Sequence, residues 1–447
     1  MWLVQKFSNG TASNRVTIPP EIYDPMLRWY IGEGGVADEA VGVELVRSAK
    51  HHDRWLACEC RGAAVPPPLL SPAYMTVAQT YYLRRLTGTG RPPHDPTCPF
   101  HRDQADYLRD RSERGRPAVT PPQGYFAVLA PLGEHLAQKT ESQPDTRDSG
   151  TSIPRLAKLL WLLVQRAGAD TVGAIGNRAK PSLILEFQRL KAAAANLEIA
   201  PGIPLSRFLF THPEDFRRLR IYAQLREAAP TWPSGHEPGA FLLLYAKAVT
   251  AREIILADGE PILVASDIVK PPRKHIDAGP YLVLVAIGTD QKTKGYAALS
   301  AYAQPILNGH HFIPVQTTRE RQLLALVLKL QWQLRDAGIA SMIEKPTFDV
   351  DTADGFCRPT VILDTQHHTD RQKQRYVLRL LDDTNNDPTD RLLTNARLRS
   401  IGEIIEIAAV RLDDPEQLSS ELIARISAEP FADADASISS NPQLVAR

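Results

Sequence analysis

Cys58 and Cys60 form a C-x-C in the run ACECRG, and the run GRPPHDPTCPFHRD supplies His94-x3-Cys98-x2-His101. Thiolate and imidazole are the ligands that tetrahedral zinc prefers. Two ligands from one turn and two from a distant loop would clip the chain between them, a Pro-rich stretch (VPPPLLSP) with little core of its own. Four protein ligands leave no open coordination position, so such a zinc would be structural. Cys58, Cys60 and Cys98 are the candidate thiolates, and the spacing leaves His94 and His101 both open as the fourth ligand. Reduced buried cysteines without metal are the alternative, but three of the four cysteines fall in this one short region together with two histidines, and that clustering favours zinc. A disulfide framework fits less well, because four cysteines are few for a chain of 447 residues.

Arg61, Arg84, Arg85, Arg91 and Arg102 lie near these ligands, with Tyr81, Tyr82 and Phe100 interleaved. Cationic side chains on phosphates and aromatic rings under bases are the chemistry of a nucleic-acid surface. Arg84, Arg85, Arg91 and Tyr82 are its candidates, and a solvated face with its rings turned inward is the alternative. The balance of 52 basic and 51 acidic residues means that any such surface is a local patch.

The elements that would position these groups divide the chain. The expectation is an α+β multi-domain protein. A zinc-clipped module covers 1–136, a polar linker 137–153, a helical and then β middle 154–316, a third domain 317–428, and a disordered tail 429–447. In the module, Glu39 to Ala49 and Arg102 to Arg111 read as helices, and Arg54 to Cys60 and Thr80 to Leu86 as strands. In the middle, Leu156 to Ala167, Ser182 to Leu197 and Pro213 to Ala228 read as helices, the first with Leu156, Leu159, Leu160 and Leu163 on one face. Ala240 to Thr250, the hairpin Glu253 to Ala265 around Asp258-Gly259, and Tyr281 to Gly288 read as strands.

The third domain is the best punctuated. Thr317 and Glu320 make a capping-box pattern ahead of an amphipathic helix to Ala337, stopped by Gly338. Strands follow at Ser341 to Val350, Pro359 to Leu363 and Arg375 to Leu381. A helix from Asp387-Pro388 to Gly402, a strand Glu403 to Val410 and a last helix from Asp414-Pro415 complete an α-β-β-β-α-β-α order. That order resembles the restriction-endonuclease-like fold of the PD-(D/E)-x-K superfamily. The resemblance implies divalent metal on carboxylates from the first helix, from an Asp after a Pro, and from an acid-x-Lys tripeptide, with metal-activated water attacking phosphate. Here the Pro is Pro359 but Thr360 follows it, and Arg375 to Leu380 holds no acid-x-Lys. Glu320 stands at the first-helix position, where its role as a capping-box acid suffices, and Asp364, Asp382 and Asp383 are candidate displaced ligands. The simpler reading is a fold that has lost its metal site, and fold alone does not establish activity.

The chain as a whole resembles an uncharacterised bacterial family carried by plasmids and integrative conjugative elements. The match rests on Cys58-Glu59-Cys60, on Arg85-Leu86-Thr87-Gly88-Thr89-Gly90 as an R-x-x-G-T-G turn, and on His94-x3-Cys98. This resemblance implies His94 as the fourth ligand and a mobile element as context. Three functions follow as expectations. The first is a non-enzymatic protein associated with DNA or RNA, or with assembly. The second is a divalent-metal nuclease with migrated carboxylates. The third is a subunit of a DNA-transfer machine that binds protein partners from the same element. No basic-then-apolar leader and no long apolar run are visible, so a cytoplasmic protein without a membrane partner is expected. Gly88-Thr89-Gly90 lacks the Lys-Ser/Thr of a phosphate loop. His310-His311, His367-His368 and Cys357 have no catalytic partners in the pattern.

Overall fold

The computed structural model describes residues 1–6, 15–62, 66–75, 80–86, 92–104, 119–129, 153–173, 181–257, 259–271, 278–290, 294–353, 355–367, 373–381 and 388–427. Nearly all of the expected linker, the tail, the R-x-x-G-T-G glycines, Arg91, Asp382, Asp383 and most of the expected helix from Arg102 lie outside these residues.

The amino-terminal unit is an antiparallel sheet beside two helices. Its elements are β1 (Trp2–Gln5), β2 (Val16–Thr17), α1 (Pro20–Tyr30), α2 (Val36–His51), β3 (Arg54–Ala57), β4 (Leu69–Met75) and β5 (Thr80–Arg85). The strand order is β2-β1-β3-β4-β5. Pro20 starts α1, where its missing N–H is no loss. Met26 and Tyr30 of α1 pack with Val43 and Val46 of α2 and with Leu56, Leu70 and Leu83 of the sheet. Gly42 lets the helices approach, since a Cβ there would overlap the Trp29 ring. The Pro-rich stretch, expected to be a long loop, is in its second half the inner strand β4. Pro72 is tolerated there. Pro68 accepts from Cys58 on the β3 side, and Leu69 accepts from Leu86 on the β5 side. The alternation therefore turns Pro72 towards β3, whose ladder stops at Leu70.

The middle unit comprises α3 (Arg155–Arg166), β6 (Thr171–Val172), α4 (Leu183–Ala193), β7 (Glu198–Ala200), β8 (Ile203–Pro204), β9 (Leu209–Phe210), α5 (Pro213–Arg217), α6 (Arg220–Ala228), β10 (Ala240–Ala246), β11 (Ala248–Val249), β12 (Glu253–Ile255), β13 (Ile262–Leu263), β14 (Tyr281–Asp290) and β15 (Gly295–Pro305). A sheet β15-β14-β10-β9 forms its centre, with β11-β12-β13 as a small separate sheet. β10 and β14 are continuous apolar runs buried on both faces. Two helices depart from expectation. The first, α4, stops at Ala193. The second is broken between α5 and α6 at Leu219, which takes φ +56°. Residues 119–129, expected in the first module, divide between two units: Leu129 packs with the amino-terminal core. Val119 and Phe126 join the core of the middle unit, and Phe126 donates to the Glu198 carbonyl.

The last unit contains α7 (Thr318–Asp336), β16 (Ile339–Glu344), β17 (Val350–Thr352), β18 (Gly355–Cys357), β19 (Val361–His367), β20 (Lys373–Leu381), α8 (Pro388–Arg399), β21 (Glu403–Ala408) and α9 (Pro415–Ser427). The hairpin β17-β18 is additional to the expected order, and the strand expected to reach Val350 stops at Glu344. The sheet runs β21-β20-β19-β16-β6, with only β20 and β21 parallel. Its fifth strand, β6, comes from the middle unit. Helices α7 and α9 cover one face through Leu323, Val327, Leu330, Leu418, Leu422 and Ile426. Leu398 of α8 packs with Val377 and Cys357 on the other. No helix among the described residues is long and apolar enough to cross a membrane.

Candidate metal centre

Cys58 follows β3, and its amide donates to the Pro68 carbonyl. Gly62, at φ +63°, closes the turn that carries Cys60 by donating to the Glu59 carbonyl. In the second loop Asp95 accepts from the Thr97 amide at 2.9 Å and from its hydroxyl at 2.6 Å. Cys98 donates to the Asp95 carbonyl, and a short helical turn, Pro99–His101, begins immediately. Buried Phe100 anchors that turn between Tyr30 and His94, with ring centroids 4.9 and 6.0 Å away. Tyr30 donates its hydroxyl to the Arg102 carbonyl at 2.8 Å. Gln104 and Asp103 then accept from the outer edge of β5, from the Leu83 and Arg85 amides at 3.1 Å each. These contacts hold the second loop against the sheet and bring its ligands over the C-x-C turn.

The ligand atoms of Cys58, Cys60, His94 and Cys98 all lie within 4.8 Å of one another. Cys58 Sγ is 3.7 Å from Cys98 Sγ, and His94 Nδ1 is 3.6 Å from Cys60 Sγ and 3.7 Å from Cys98 Sγ. A tetrahedral metal with bonds of about 2.3 Å to sulfur and 2.0–2.1 Å to nitrogen has edges of about 3.8 and 3.6 Å. Three of the six edges are therefore already at that spacing and the others lie within 4.8 Å, so the cluster can hold a metal ion, while Cys58 and Cys98 are far beyond the ~2.05 Å of a disulfide. Asp95 points its amide at Cys60 Sγ at 3.4 Å, as a support for thiolate charge.

Burial lowers the pKa of His94 to about 4, with the Leu69 carbonyl opposing the shift and the Arg85 charge adding to it. The imidazole is thus neutral, the form that ligates metal. Burial also raises the thiols of Cys58 and Cys98. A cation entering the cluster must displace those protons, which ties its binding to the burial of the site. His101 lies outside the cluster, its Nδ1 3.2 Å from the His94 carbonyl oxygen. Among the described residues no other His, Cys, Asp or Glu group of three or more converges in this way.

The carboxylates singled out in the last unit are not brought together. Glu320 is buried against α7's own start, where it accepts from the Gln316 amide, while the Thr317 hydroxyl accepts from the Glu320 amide. Its other oxygen lies 2.6 Å from Lys345 Nζ, just past β16, and both side chains are nearly inaccessible. Asp364 follows Leu363, which faces α7, so strand alternation turns it to the opposite face. There it is paired across strands with Arg375, at 2.6 and 2.9 Å. Thr360, in the place of the motif's Asp, accepts from the Leu380 amide at 3.3 Å. Lys345 was not foreseen as a site residue. Its signal is a lysine before a proline at the end of an apolar strand, which spacing alone does not pair with a distant helix.

The basic surface residues also separate. Arg85 is committed to Asp103 at 3.0 Å and to the His101 carbonyl. Arg84 is exposed, near enough to Lys50 for its charge to lower that amine, although burial is the larger cause. Tyr82 alternates with the inward-facing Tyr81 and Leu83 and is half-buried.

A family model described as restriction endonuclease-like C-terminal domain matches residues 317–428. Two models described as domains of unknown function match residues 1–104 and 118–306. The chain thus combines a restriction endonuclease-like C-terminal domain with two further domains. No curated protein and no solved structure matches it.

Proposed function

We propose that this chain, with its restriction endonuclease-like C-terminal domain, is a non-enzymatic nucleic-acid-associated or assembly protein of a bacterial mobile element, and that the metal at Cys58, Cys60, His94 and Cys98 is structural zinc. Three cysteines and one imidazole gathered within 4.8 Å favour zinc over the harder divalent ions, which take oxygen. The metal supplies a fixed joint. The protein's part is to hold the second loop on the sheet through Phe100, Asp103 and Gln104.

The observation that carries the non-enzymatic reading is the buried Glu320–Lys345 pair. The first-helix acid is neutralised by a lysine instead of facing a phosphate with a second carboxylate. Asp364, a candidate displaced ligand, stands on the other face with its charge met by Arg375. Phosphoryl transfer by two metals requires carboxylates converging on ions about 4 Å apart.

The decisive experiment incubates the full chain with labelled single- and double-stranded DNA and RNA, with magnesium or manganese, and measures both cleavage and binding. Binding at low salt that weakens steeply with added salt, without cleavage, is the expected result. Cleavage abolished by Glu320→Ala with Asp364→Ala would establish the nuclease with migrated carboxylates instead. No binding at any salt concentration would favour a subunit that contacts only protein partners.

A further inference from the structure

Leu219 breaks two local rules at once. It adopts φ +56°, ψ +19°, a left-handed conformation that bulky side chains avoid and glycine adopts freely. It also leaves 53% of its surface in water. Neither cost is repaid by packing within the described residues, because Leu219 is at the tip of the elbow between α5 and α6 and belongs to no core cluster. On either side stand Arg218 and Arg220, with side chains 65% and 62% exposed. Arg207 is also exposed, its carbonyl accepting from Gln224 of α6 at 3.1 Å.

We infer that the Arg218-Leu219-Arg220 elbow is a nucleic-acid contact, in which Leu219 is an apolar wedge against bases and the arginines meet the flanking phosphates. Charge complementarity names the occupant. An apolar tip alone would suit many partners, but one bracketed by guanidinium groups fits a polymer with apolar base faces and regularly spaced negative charges. Arg218 is held by Glu214 at 2.9 Å and Arg220 by Asp215 at 3.4 Å. Both pairs are solvent-exposed, and such pairs exchange readily for phosphate. Strain retained at an exposed position is the kind of local cost that persists where function requires it. This inference rests on the nucleic-acid reading above and gives it a surface apart from the zinc loops.

The test compares the full-length wild type with Leu219→Gly and with Arg218→Ala/Arg220→Ala, using fluorescence anisotropy of labelled duplex and single-stranded DNA and RNA over a salt series. Glycine relieves the left-handed strain, so Leu219→Gly should melt no lower than wild type while binding roughly tenfold more weakly. The double arginine variant should reduce the salt slope by about 2. If wild type binds but Leu219→Gly binds equally well, the wedge is overturned and the nucleic-acid reading stands. If wild type binds none of these probes at low salt, both readings fall. If a labelled polyglutamate binds as tightly as DNA and is lost in the arginine variant, the elbow is a dock for acidic protein and the inference fails.

Discussion

Glu320 Oε1 and Lys345 Nζ are 2.6 Å apart, with side chains 9% and 5% exposed. The pair joins the start of α7 to the end of β16. Beyond it lies a small cleft lined by Trp161 and Gln304 of the middle unit and by Gln316, Pro346 and Thr347. A buried pair contributes little net stability relative to an apolar replacement, but removing one member leaves an uncompensated charge. Lys345→Met should therefore destabilise the protein by about 3–5 kcal/mol in urea unfolding. Adding Glu320→Gln should recover part of this loss, and an additive double variant would mean that the two residues do not act as a pair.

The metal centre predicts a difference between two histidines. Elemental analysis should find about one zinc per chain, lost in Cys98→Ser and in His94→Ala but retained in His101→Ala. Chelation should lower the melting temperature and release protection of the β3–β5 amides in hydrogen exchange. Zinc lost from His101→Ala and kept by His94→Ala would reverse the assignment.

Glu344 supplies the pH dependence. Burial raises its pKa, and Asp364 on the same sheet face adds to the shift while Arg375 opposes it. A carboxyl raised on folding stabilises most fully below its unfolded pKa of about 4.3, and that contribution is lost as pH rises through the folded value. Glu344→Gln should thus raise the melting temperature near neutral pH and change it little near pH 4. An equal effect at both pH values would place the cause in packing.

Strand β6 makes the last sheet depend on the middle unit. Val172 and Thr171 pair with Ile343 and Glu344, the Lys345 amide donates to the Asp170 carbonyl, and Gln331 donates to the carbonyls of both Val172 and Ser341. A fragment of residues 317–428 exposes that edge and the Glu320–Lys345 pair. It should lack the near-UV circular dichroism of fixed tertiary packing, whereas residues 119–428 should retain it. A cooperatively folded short fragment would show that β6 is dispensable.

Much of the last unit was legible because its signals are local. Thr317, Gly338, Pro388 and Pro415 mark helix ends through backbone chemistry, and α7 and α9 repeat leucines at helical spacing. The C-x-C and His94-x3-Cys98 spacings were likewise enough to place three thiols and an imidazole in one proposal. By itself the sequence determined which residue types could bind metal and where most regular elements lie. It did not determine which histidine faces the sulfurs, because His94 and His101 flank Cys98 and differ only in what the turn around Phe100 does with them. Nor could it pair Glu320 with Lys345, turn Asp364 away from α7, or send β6 into another unit's sheet. Those relationships depend on strand register and on contacts between distant segments. They are decided only when the whole chain packs and each buried charge must find a partner.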